Sequence, residues 1–275
     1  MGAEIGGAAY QGSPGAYSEE AAWALVGRRS RLLPCISLAD VFETVVSGRA
    51  THGILPVENS LAGTVPRAYE LLLDGRLTAI GETRVRIDHA LIGHPSSRVD
   101  RIRRVLSHPV ALDQCTKFFR LNPGVEAVPV FDTAGAVAMV MENGRGDTAA
   151  IANHRAAELH AATVLAERIQ DHEDNWTRFL LLAPTGSAQA TVTAQKVIVA
   201  FRLPHEPGSL CRALQEVADG GVNLTKIESR PIQERPFEYA FLIEMAGAID
   251  AGVDWQGLLT SLRSMTQDLR VLGAF

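Results

Sequence analysis

A hydroxyl group and a guanidinium group stand side by side where a buried strand is predicted to begin. Residues 174–179 read Asp-Asn-Trp-Thr-Arg-Phe and precede the apolar residues 180–183, which puts Thr177 and Arg178 at the mouth of the strand. Burying an arginine without an anionic partner costs free energy. A fixed cation beside a proton donor suits a small carboxylate substrate with a group that must leave. An exposed arginine at a strand end is the alternative for these six residues alone.

Four further segments place hydroxyl or amide side chains beside glycine or proline, each in a predicted strand-to-helix loop. The segments are residues 10–18, 56–64, 107–114 and 132–135. Backbone N–H groups and hydroxyls at a helix start can hold an anion, although any one segment is more simply explained as a helix cap. Ligands of parallel sheets bind at loops that leave the carboxyl ends of strands. The four segments and Thr177 therefore predict one converging polar site.

Motifs that would indicate a cofactor or a metal are absent from the sequence. No Gly-x-Gly-x-x-Gly follows a predicted strand and no phosphate loop is found, which argues against a dinucleotide or a nucleoside triphosphate. No spacing of histidine and cysteine suits a structural metal. We interpret His89 and His108 as capping or surface residues, and Glu58 either as an acid or base or as a partner of a helix dipole. The predicted site is a polar cradle that positions a substrate and supplies a proton.

Composition points to a two-domain protein of the cytoplasm. The chain has 275 residues, of which 47% are hydrophobic and 21% charged, and a formal net charge of −5. This length is more typical of two domains than of one, and the acidic balance argues against nucleic-acid binding. Cys35, Cys115 and Cys211 lie far apart in apolar patterns, as expected for reduced core residues. The sequence shows no export signal and no bilayer-spanning run, so we expect no membrane association.

The pattern of apolar runs predicts two different folds along the chain. Residues 4–183 alternate strands and helices, which predicts an α/β domain with parallel sheets. The predicted caps of three of its helices are Ser18, Ser37 and Thr133. Residues 184–195 are small, polar and almost uncharged, as is typical of a linker. Residues 196–275 then read β-α-β-β-α-β, the ferredoxin-like order of an α+β module, whose small sheet leaves an edge or face free for dimerisation.

These segments together resemble the prephenate dehydratase family over nearly the whole chain. The resemblance is carried by residues 10–19, 55–60, 107–109 with 114–115, 132–134 and 175–179. The C-terminal module resembles an ACT regulatory domain, because residues 208–210 (Gly-Ser-Leu) and 228–231 (Glu-Ser-Arg-Pro) match the two motifs of the family's phenylalanine site. The Thr-Arg-Phe triplet and the Glu-Ser-Arg-Pro tetrapeptide, in this order and spacing, make the combination specific.

The resemblance implies a catalytic domain of two α/β lobes, like a type II periplasmic binding protein, with the substrate in the cleft between them. The reaction would remove the ring hydroxyl and ring carboxylate of prephenate, giving phenylpyruvate, carbon dioxide and water, without a cofactor or a metal. Thr177 would hydrogen-bond or protonate the leaving hydroxyl and Arg178 would bind a carboxylate. Asn59 and Glu58 would complete the catalytic set. Further residues expected at the substrate are Ser13, Ser60, Thr64, Ser107, Gln114, Thr133 and Phe179.

The resemblance also implies regulation by L-phenylalanine in a homodimer or homotetramer. The effector would bind at the interface between two ACT domains and close or distort the catalytic cleft, which requires two states of different effector affinity. The alternative is that residues 207–208 are only a helix start and residues 230–231 only a strand exit. The residues expected at the effector are Gly208, Ser209, Leu210, Asn223, Leu224, Glu228, Ser229, Arg230 and Pro231.

Three alternatives to this interpretation stay open. Arogenate, which carries an amino group where prephenate has its side-chain keto oxygen, is the alternative substrate, and no residue decides between the two. A non-catalytic amino-acid-sensing protein could use the same two-lobed cleft, although Thr177 and Arg178 argue against it. A piece of a bifunctional protein with chorismate mutase is the third alternative, and the short segment before the first strand argues against that.

Overall fold

A computed structural model of the chain describes residues 7–186, 194–232, 235–247 and 252–275. The chain divides into two compact units. Unit 1 consists of Met1–Tyr69 and Glu82–Leu181, and unit 2 of Glu70–Gly81 and Leu182–Phe275. Most of the predicted linker, residues 187–193, lies outside the described residues, and the domain boundaries 4–183, 184–195 and 196–275 stay a prediction.

The first lobe of unit 1 is a sheet with helices packed against it. Its strands are β1 (Ala8–Gln11), β2 (Leu32–Cys35), β3 (His52–Asn59), β4 (Gly63–Thr64), β5 (Leu77–Arg86) and β11 (Trp176–Pro184), and its helices are α1 (Tyr17–Val26), α2 (Leu38–Val46) and α3 (Pro66–Leu72). The order of the strands in the sheet is β5-β11-β3-β1-β2. The parts of β5 and β11 that belong to unit 1 begin at Glu82 and end at Leu181, respectively. β1 is parallel to β2 and β3. Residues 179–183 are all buried, as the continuous apolar run of β11 predicts.

The second lobe of unit 1 is built on a separate sheet. It contains β6 (Ala90–Gly93), β7 (Arg104–Ser107), β8 (Glu126–Pro129), β9 (Thr148–Ala152), β10 (Thr163–Ala166), a 3-10 turn (Val99–Arg101), and helices α4 (Pro109–Asp113), α5 (Thr116–Leu121), α6 (Thr133–Asn143) and α7 (His154–Leu159). The sheet order is β10-β6-β9-β7-β8. One apolar cluster joins α6 and α7 to this sheet, and another joins α4 and α5 to it. The predicted mixed α/β fold with two lobes is confirmed.

The sheet of the second lobe is mixed, whereas the sequence pattern predicts a parallel one. β7 is parallel to β8 and β9, but β6 is antiparallel to both β9 and β10. The physical reason is the connection into β6. Only residues 87–89 separate β6 from β5 of the other lobe, so the direction of β6 in its sheet is set by this passage between lobes and not by a helical crossover from a neighbouring strand of the same sheet.

Two of the three predicted helix caps are wrong. Ser37 caps α2 as predicted, with a complete capping box. Helix α1 is preceded by Ala16, and Ser18 lies inside its first turn. Helix α6 is capped by the carboxylate of Asp132, because an aspartate accepts from the first turn at least as well as the hydroxyl of Thr133 that follows it. Ser18 and Thr133 instead face a cavity of unit 1.

Unit 2 contains the predicted β-α-β-β-α-β order. Its elements are β12 (Lys196–Arg202), α8 (Ser209–Asp219), β13 (Asn223–Ile232), β14 (Arg235–Ala246), α9 (Trp255–Met265) and β15 (Gln267–Ala274). The sheet order is β13-β14-β12-β15, and each of these neighbours is antiparallel to the next. Alternate residues of β12, namely Val197, Val199 and Phe201, pack with apolar side chains of α8 and α9.

Two features are absent from the part of the chain that the structure describes. None of its helices is long and apolar enough to cross a membrane. Nor does this part contain a group of three or more His, Cys, Asp and Glu side chains that could hold a metal ion.

The three cysteines are free thiols, and Cys115 is buried as predicted. The prediction of a core position is wrong for Cys211, which lies exposed on α8.

Candidate active site

A cavity of about 410 Å³ lies in unit 1, and all four predicted loops contribute to its wall. Helices α1, α3, α4 and α6 present residues of their first turns to it. Thr177 and Phe179 of β11 belong to the wall, as do Val65, Pro66, Ile87 and His89. The loop residues of the wall are Gln11, Gly12, Ala16, Tyr17, Ser18, Pro56, Asn59, Ala62, Gly63, Thr64, His108, Val110, Ala111, Gln114, Phe131, Asp132 and Thr133.

A hydrogen bond of defined direction joins Asn59 to Thr177. The Oδ1 atom of Asn59 accepts from the backbone N–H groups of Leu61, at 3.0 Å, and Ala62, at 2.8 Å. Since those donors are fixed by the chain, they assign the Nδ2 atom to the other end of the amide, 3.0 Å from Thr177 Oγ1. Thr177 Oγ1 is therefore the acceptor of this contact, and its hydroxyl proton is left for another partner.

Asn175 and Gln114 close a ring of three amides with Asn59. Asn175 is completely buried; its Oδ1 accepts from Asn59 Nδ2 at 2.7 Å, and its Nδ2 donates to Gln114 Oε1 at 2.8 Å. Gln114 Nε2 donates in turn to Asn59 Oδ1 at 3.3 Å. Each donor faces an acceptor around the ring, so the three amides support one orientation of Asn59.

His89 and Tyr17 extend the network beyond Gln114. His89 Nε2 lies 3.1 Å from Gln114 Oε1, and its Nδ1 lies 3.0 Å from the Tyr17 hydroxyl. Because Gln114 presents an acceptor, we assign the imidazole proton to Nε2. Burial lowers the pKa of His89 to about 4, so the ring is neutral at pH 7. With the proton on Nε2, Nδ1 is an acceptor, so the Tyr17 hydroxyl shares its single proton between Nδ1 and the Asp88 carbonyl oxygen at 2.7 Å. Burial raises the pKa of Tyr17 well above the ordinary value.

Six of the eleven residues predicted for catalysis and substrate binding lie in the cavity wall: Asn59, Thr64, Gln114, Thr133, Thr177 and Phe179. Three predicted serines are instead engaged in the supporting loops. Ser13 donates to the carboxylate of Asp132 at 2.9 Å. Ser60 and the fully buried Ser107 donate to backbone carbonyl oxygens, at 3.1 Å and 2.7 Å.

Arg178 and Glu58 are not brought to the cavity wall. Arg178 Nη2 lies 3.1 Å from Glu58 Oε2, and Nη1 lies 3.0 Å from Glu82 Oε2. Nη2 also donates to the Tyr69 hydroxyl at 3.1 Å. Only 7% of Arg178 is exposed. Successive residues of a strand point to opposite faces, so Arg178 is turned away from the side on which Thr177 meets the cavity. Its guanidinium therefore binds protein carboxylates in this structure.

Sequence reasoning missed three residues of this network, namely Tyr17, His89 and Asn175. The interpretation of His89 as a capping or surface residue is wrong, because the side chain is 2% exposed and lies in the wall. His108 caps α4 as predicted and also faces the cavity. A signal for Asn175 was present, because it precedes Thr177 by two residues. The position of His89, where the chain passes between the lobes, has no local sequence signature.

The wall of the cavity is largely apolar and carries no side chain of fixed positive charge. Among its described residues none is Arg or Lys. The N-terminal turns of α1, with 10 residues, and α6, with 11, face it instead and contribute partial positive charge and N–H donors. Val110 and Phe131 add exposed apolar surface to the wall. This combination suits a small anion that also carries a hydrocarbon ring.

The residues predicted for the effector lie on α8 and β13 of unit 2. Gly208 precedes α8 with φ of 83°, a left-handed conformation that favours glycine. Ser209 and Leu210 line a cavity of about 150 Å³ together with Tyr239 and Phe241. Asn223, Leu224, Glu228, Ser229, Arg230 and Pro231 lie on β13. Arg230 pairs with Glu228 at 2.8 Å. Glu228 Oε2 and Arg230 Nε are buried without a hydrogen-bond partner in the described part of the chain.

Comparison with known proteins finds relatives that match nearly the whole chain. The family model described as prephenate dehydratase matches residues 8–187. The chain is 36% identical, over 97% of its own length and 71% of the relative's, to the chloroplastic arogenate dehydratase/prephenate dehydratase 1 of Arabidopsis thaliana. It covers 66% of the length of arogenate dehydratase 1 of Petunia hybrida, at 39% identity over 97% of this chain.

Two solved structures have the same fold with a TM-score of 0.86. One is a prephenate dehydratase from Arthrobacter aurescens in complex with L-Phe, 29% identical, with 98% of this chain and 89% of that chain covered. The other is described as GqqA, a novel type of quorum quenching acylase, 34% identical, with 98% and 97% covered.

Proposed function

The chain belongs to the prephenate dehydratase family, and we propose that it removes the ring hydroxyl and ring carboxylate of prephenate to give phenylpyruvate, carbon dioxide and water. The substrate would occupy the cavity of unit 1. Aromatisation of the ring supplies the driving force. The protein's task is then to hold the anion, to hydrogen-bond the departing hydroxyl, which takes its proton from solvent to become water, and to exclude competing reactions.

The observation that carries this proposal is the direction of the Asn59–Thr177 hydrogen bond. Asn59 donates to Thr177 Oγ1 at 3.0 Å, which turns the threonine hydroxyl into a donor toward the cavity. A threonine is a weak acid, so a preorganised donor that strengthens its bond as negative charge develops on the leaving oxygen is the role that fits it. The amide ring formed with Asn175 and Gln114 keeps this donor oriented before substrate binds.

The apolar part of the wall favours the loss of the ring carboxylate. A carboxylate against side chains such as Val110, Phe131 and Phe179 is poorly solvated, whereas carbon dioxide is neutral and is stable there. The carboxylate of the side chain, which is retained, would be held by N–H groups at the start of α1 or α6. The two carboxylates of the substrate would thus contact different parts of the same cavity.

The geometry disfavours acyl transfer, the activity named for GqqA. An attacking hydroxyl needs a base at its proton. The ring nitrogens of His89, the most deeply buried histidine of the wall, face Gln114 and Tyr17 instead. His89 is therefore not placed to activate a serine or threonine hydroxyl of the described wall as a nucleophile.

A parallel assay of the wild-type protein tests the proposal. Prephenate, arogenate and an N-acyl-homoserine lactone are offered at equal concentrations, and phenylpyruvate, phenylalanine and free homoserine lactone are measured. Formation of phenylpyruvate from prephenate is the expected result, and preferential formation of phenylalanine from arogenate would change the substrate within the same chemistry. If the protein converts neither prephenate nor arogenate, the proposal is overturned and a binding protein becomes the favoured interpretation. Release of homoserine lactone in that case would favour an acylase.

Unit 2 supports a second part of the proposal, regulation by L-phenylalanine through an ACT domain in a homodimer or homotetramer. The small cavity beside Ser209, whose wall includes Leu210 and Phe241, would accept an aromatic side chain, and the partly buried Glu228–Arg230 pair could exchange its contacts for the amino and carboxylate groups of an amino acid. Isothermal titration is expected to show binding of phenylalanine at or below the millimolar range. If no heat of binding is detected at millimolar phenylalanine, the proposal of regulation by phenylalanine is rejected. A mass measurement in solution would give the oligomeric state.

A further inference from the structure

We propose that Arg178 is a positioning residue, which holds Thr177 against Asn59 by means of ion pairs on the opposite face of β11. This inference rests on the proposed function, because it assigns a purpose to the placement of Thr177. It differs from the role that the resemblance implies, in which Arg178 itself binds a carboxylate of the substrate. The two roles predict different kinetics.

The same two neighbouring strands are joined on both of their faces by adjacent residues. On β3, Glu58 directly precedes Asn59, and on β11, Arg178 directly follows Thr177. Asn59 and Thr177 are 3.0 Å apart in the cavity wall, and the oxygen of Glu58 and nitrogen of Arg178 are 3.1 Å apart behind them. A displacement of β11 along β3 would therefore break both contacts together.

Arg178 also reaches the strand on the other side of β11. Its Nη1 lies 3.0 Å from Glu82 Oε2 on β5, so that one guanidinium spans β3, β11 and β5. The Arg178 side chain is 9% exposed, whereas its partners Glu82 and Glu58 are 22% and 39% exposed, so solvent screens the pair with Glu82 less than the pair with Glu58. A planar guanidinium holds two carboxylates in fixed directions, whereas a lysine ammonium is a flexible point charge. The arrangement fixes β11 on both sides at the residue next to Thr177.

The chemistry needs such a device because the donor must be accurately placed. A displacement of about 1 Å of a reacting group can lower a rate by about 100-fold. Thr177 is the second residue of β11, and the backbone before it is held by two hydrogen bonds of 2.8 Å, from Ser60 N–H to the Trp176 carbonyl oxygen and from Ile87 N–H to the Asn175 carbonyl oxygen. The ion pairs of the third residue add a restraint through side chains on the other face of the strand.

Steady-state kinetics of Arg178→Lys and Arg178→Met test the assignment, with Arg104→Lys as the matched control. Arg104 is a strand arginine that pairs with a carboxylate, Glu126, on the neighbouring strand of the second lobe and lies outside the described cavity wall. We expect kcat for prephenate to fall about 10-fold in Arg178→Lys and about 100-fold in Arg178→Met, with KM within about threefold of wild type. The control should keep both constants.

Three results in solution would overturn the assignment. If KM rises by about 10-fold or more while kcat is unchanged, Arg178 binds the substrate directly. A lower melting temperature with kcat unchanged well below that temperature would show that the ion pairs serve stability alone. If Arg178 acts only by holding Thr177 against Asn59, the double variant Asn59→Ala with Arg178→Lys should have a kcat hardly lower than that of Asn59→Ala alone. Strict additivity of the two effects on the activation free energy would contradict the assignment.

A crystal structure of Arg178→Lys separates this inference from the proposed function. The inference predicts that Thr177 Oγ1 moves beyond about 3.5 Å, the usual limit of a hydrogen bond, from Asn59 Nδ2. An unchanged distance would overturn it, whatever the enzyme turns over. Absence of dehydratase activity in the wild type, with the displacement observed, would count against the proposed function alone.

Discussion

The two faces of β3 and β11 use opposite kinds of contact at adjacent residues. On the cavity face, Asn59 and Thr177 meet through neutral groups that belong to a ring of amides. On the other face, Glu58 and Arg178 meet as ions. Charge thus lies directly behind Thr177, the group that we propose to act on the substrate, and not beside it. In the proposed reaction, a neutral donor would keep the cavity suitable for a leaving carboxylate, while the ions would supply a strong and directional restraint on the face away from the substrate.

The difference between the two faces would also explain how threonine, a weak acid, can serve in the proposed reaction. A cation on the cavity face would stabilise the ring carboxylate that must be lost. A neutral amide that donates to Thr177 polarises the hydroxyl without holding that anion in place. Substitutions that alter one face at a time separate the contribution of the neutral contacts from that of the ion pairs. They follow here in order of decreasing expected effect.

Asn59→Asp is the substitution expected to disturb the contacts on the cavity face most severely. A carboxylate oxygen in place of Nδ2 accepts the proton of Thr177, so the hydroxyl no longer donates to the substrate. We expect kcat for prephenate to fall by about 100- to 1000-fold, measured at saturating substrate. Asn153→Asp is the matched control, because Asn153 caps α7 through its Oδ1 atom, which an aspartate also provides. Equal activity of Asn59→Asp and the control would contradict the donor role.

Protonation of His89 offers a second way to disturb the neutral face. Burial lowers the pKa of His89 in the folded protein to about 4, below its ordinary value, so the unfolded chain takes up this proton first. Stability from this group is full at about pH 7.5, falls as the pH drops through the unfolded pKa, and levels off below about 4. We expect a loss of about 2 kcal/mol from His89 alone between about pH 7.5 and about pH 5.

Denaturant unfolding of wild type and His89→Gln at both pH values isolates that contribution. The variant lacks the titrating group, so its stability should fall less with acid than that of the wild type. Parallel curves for the two proteins would mean that His89 is not the neutral, buried group described here. The difference between the curves, and not either curve alone, carries the test because other groups also titrate.

Tyr69→Phe sharpens the comparison on the ionic face. The change removes the hydroxyl that accepts from Arg178 Nη2 at 3.1 Å and leaves both carboxylates in place. We expect a loss of about 1 kcal/mol of stability, the usual value of one hydrogen bond, with kcat within about twofold of wild type. Thermal unfolding and steady-state kinetics measure the two quantities. If kcat instead falls by about 10-fold or more, the ion pairs are not what places Thr177.

Much of the architecture could be predicted from local sequence patterns. The β-α-β-β-α-β order of unit 2 follows from period-2 and helical spacings, and the Ser37 cap follows from its own side chain. The convergence of four loops could be predicted because each combines a strand end with a helix start. The mixed sheet of the second lobe could not, because the direction of β6 depends on the passage between lobes and not on its own residues.

The candidate site was harder to predict in its details than in its location. Sequence placed Thr177 and Arg178 together, but one residue of strand alternation turns them to opposite faces. It suggested a wall role for Ser107, whose hydroxyl is buried against a backbone carbonyl oxygen. It passed over His89, whose environment is made by residues distant in the chain, Tyr17 and Gln114. Partner choice and burial are tertiary properties that spacing alone does not specify.

Replacement of the Thr177 hydroxyl is the most direct test of the central claim, that this group donates to the leaving oxygen. Thr177→Val keeps the shape of the side chain and removes the hydroxyl, whereas Thr177→Ser keeps the hydroxyl. The account predicts that kcat for prephenate at saturation falls at least about 100-fold in the valine variant and stays within about 10-fold of wild type in the serine variant. A valine variant as active as the serine variant would contradict the account.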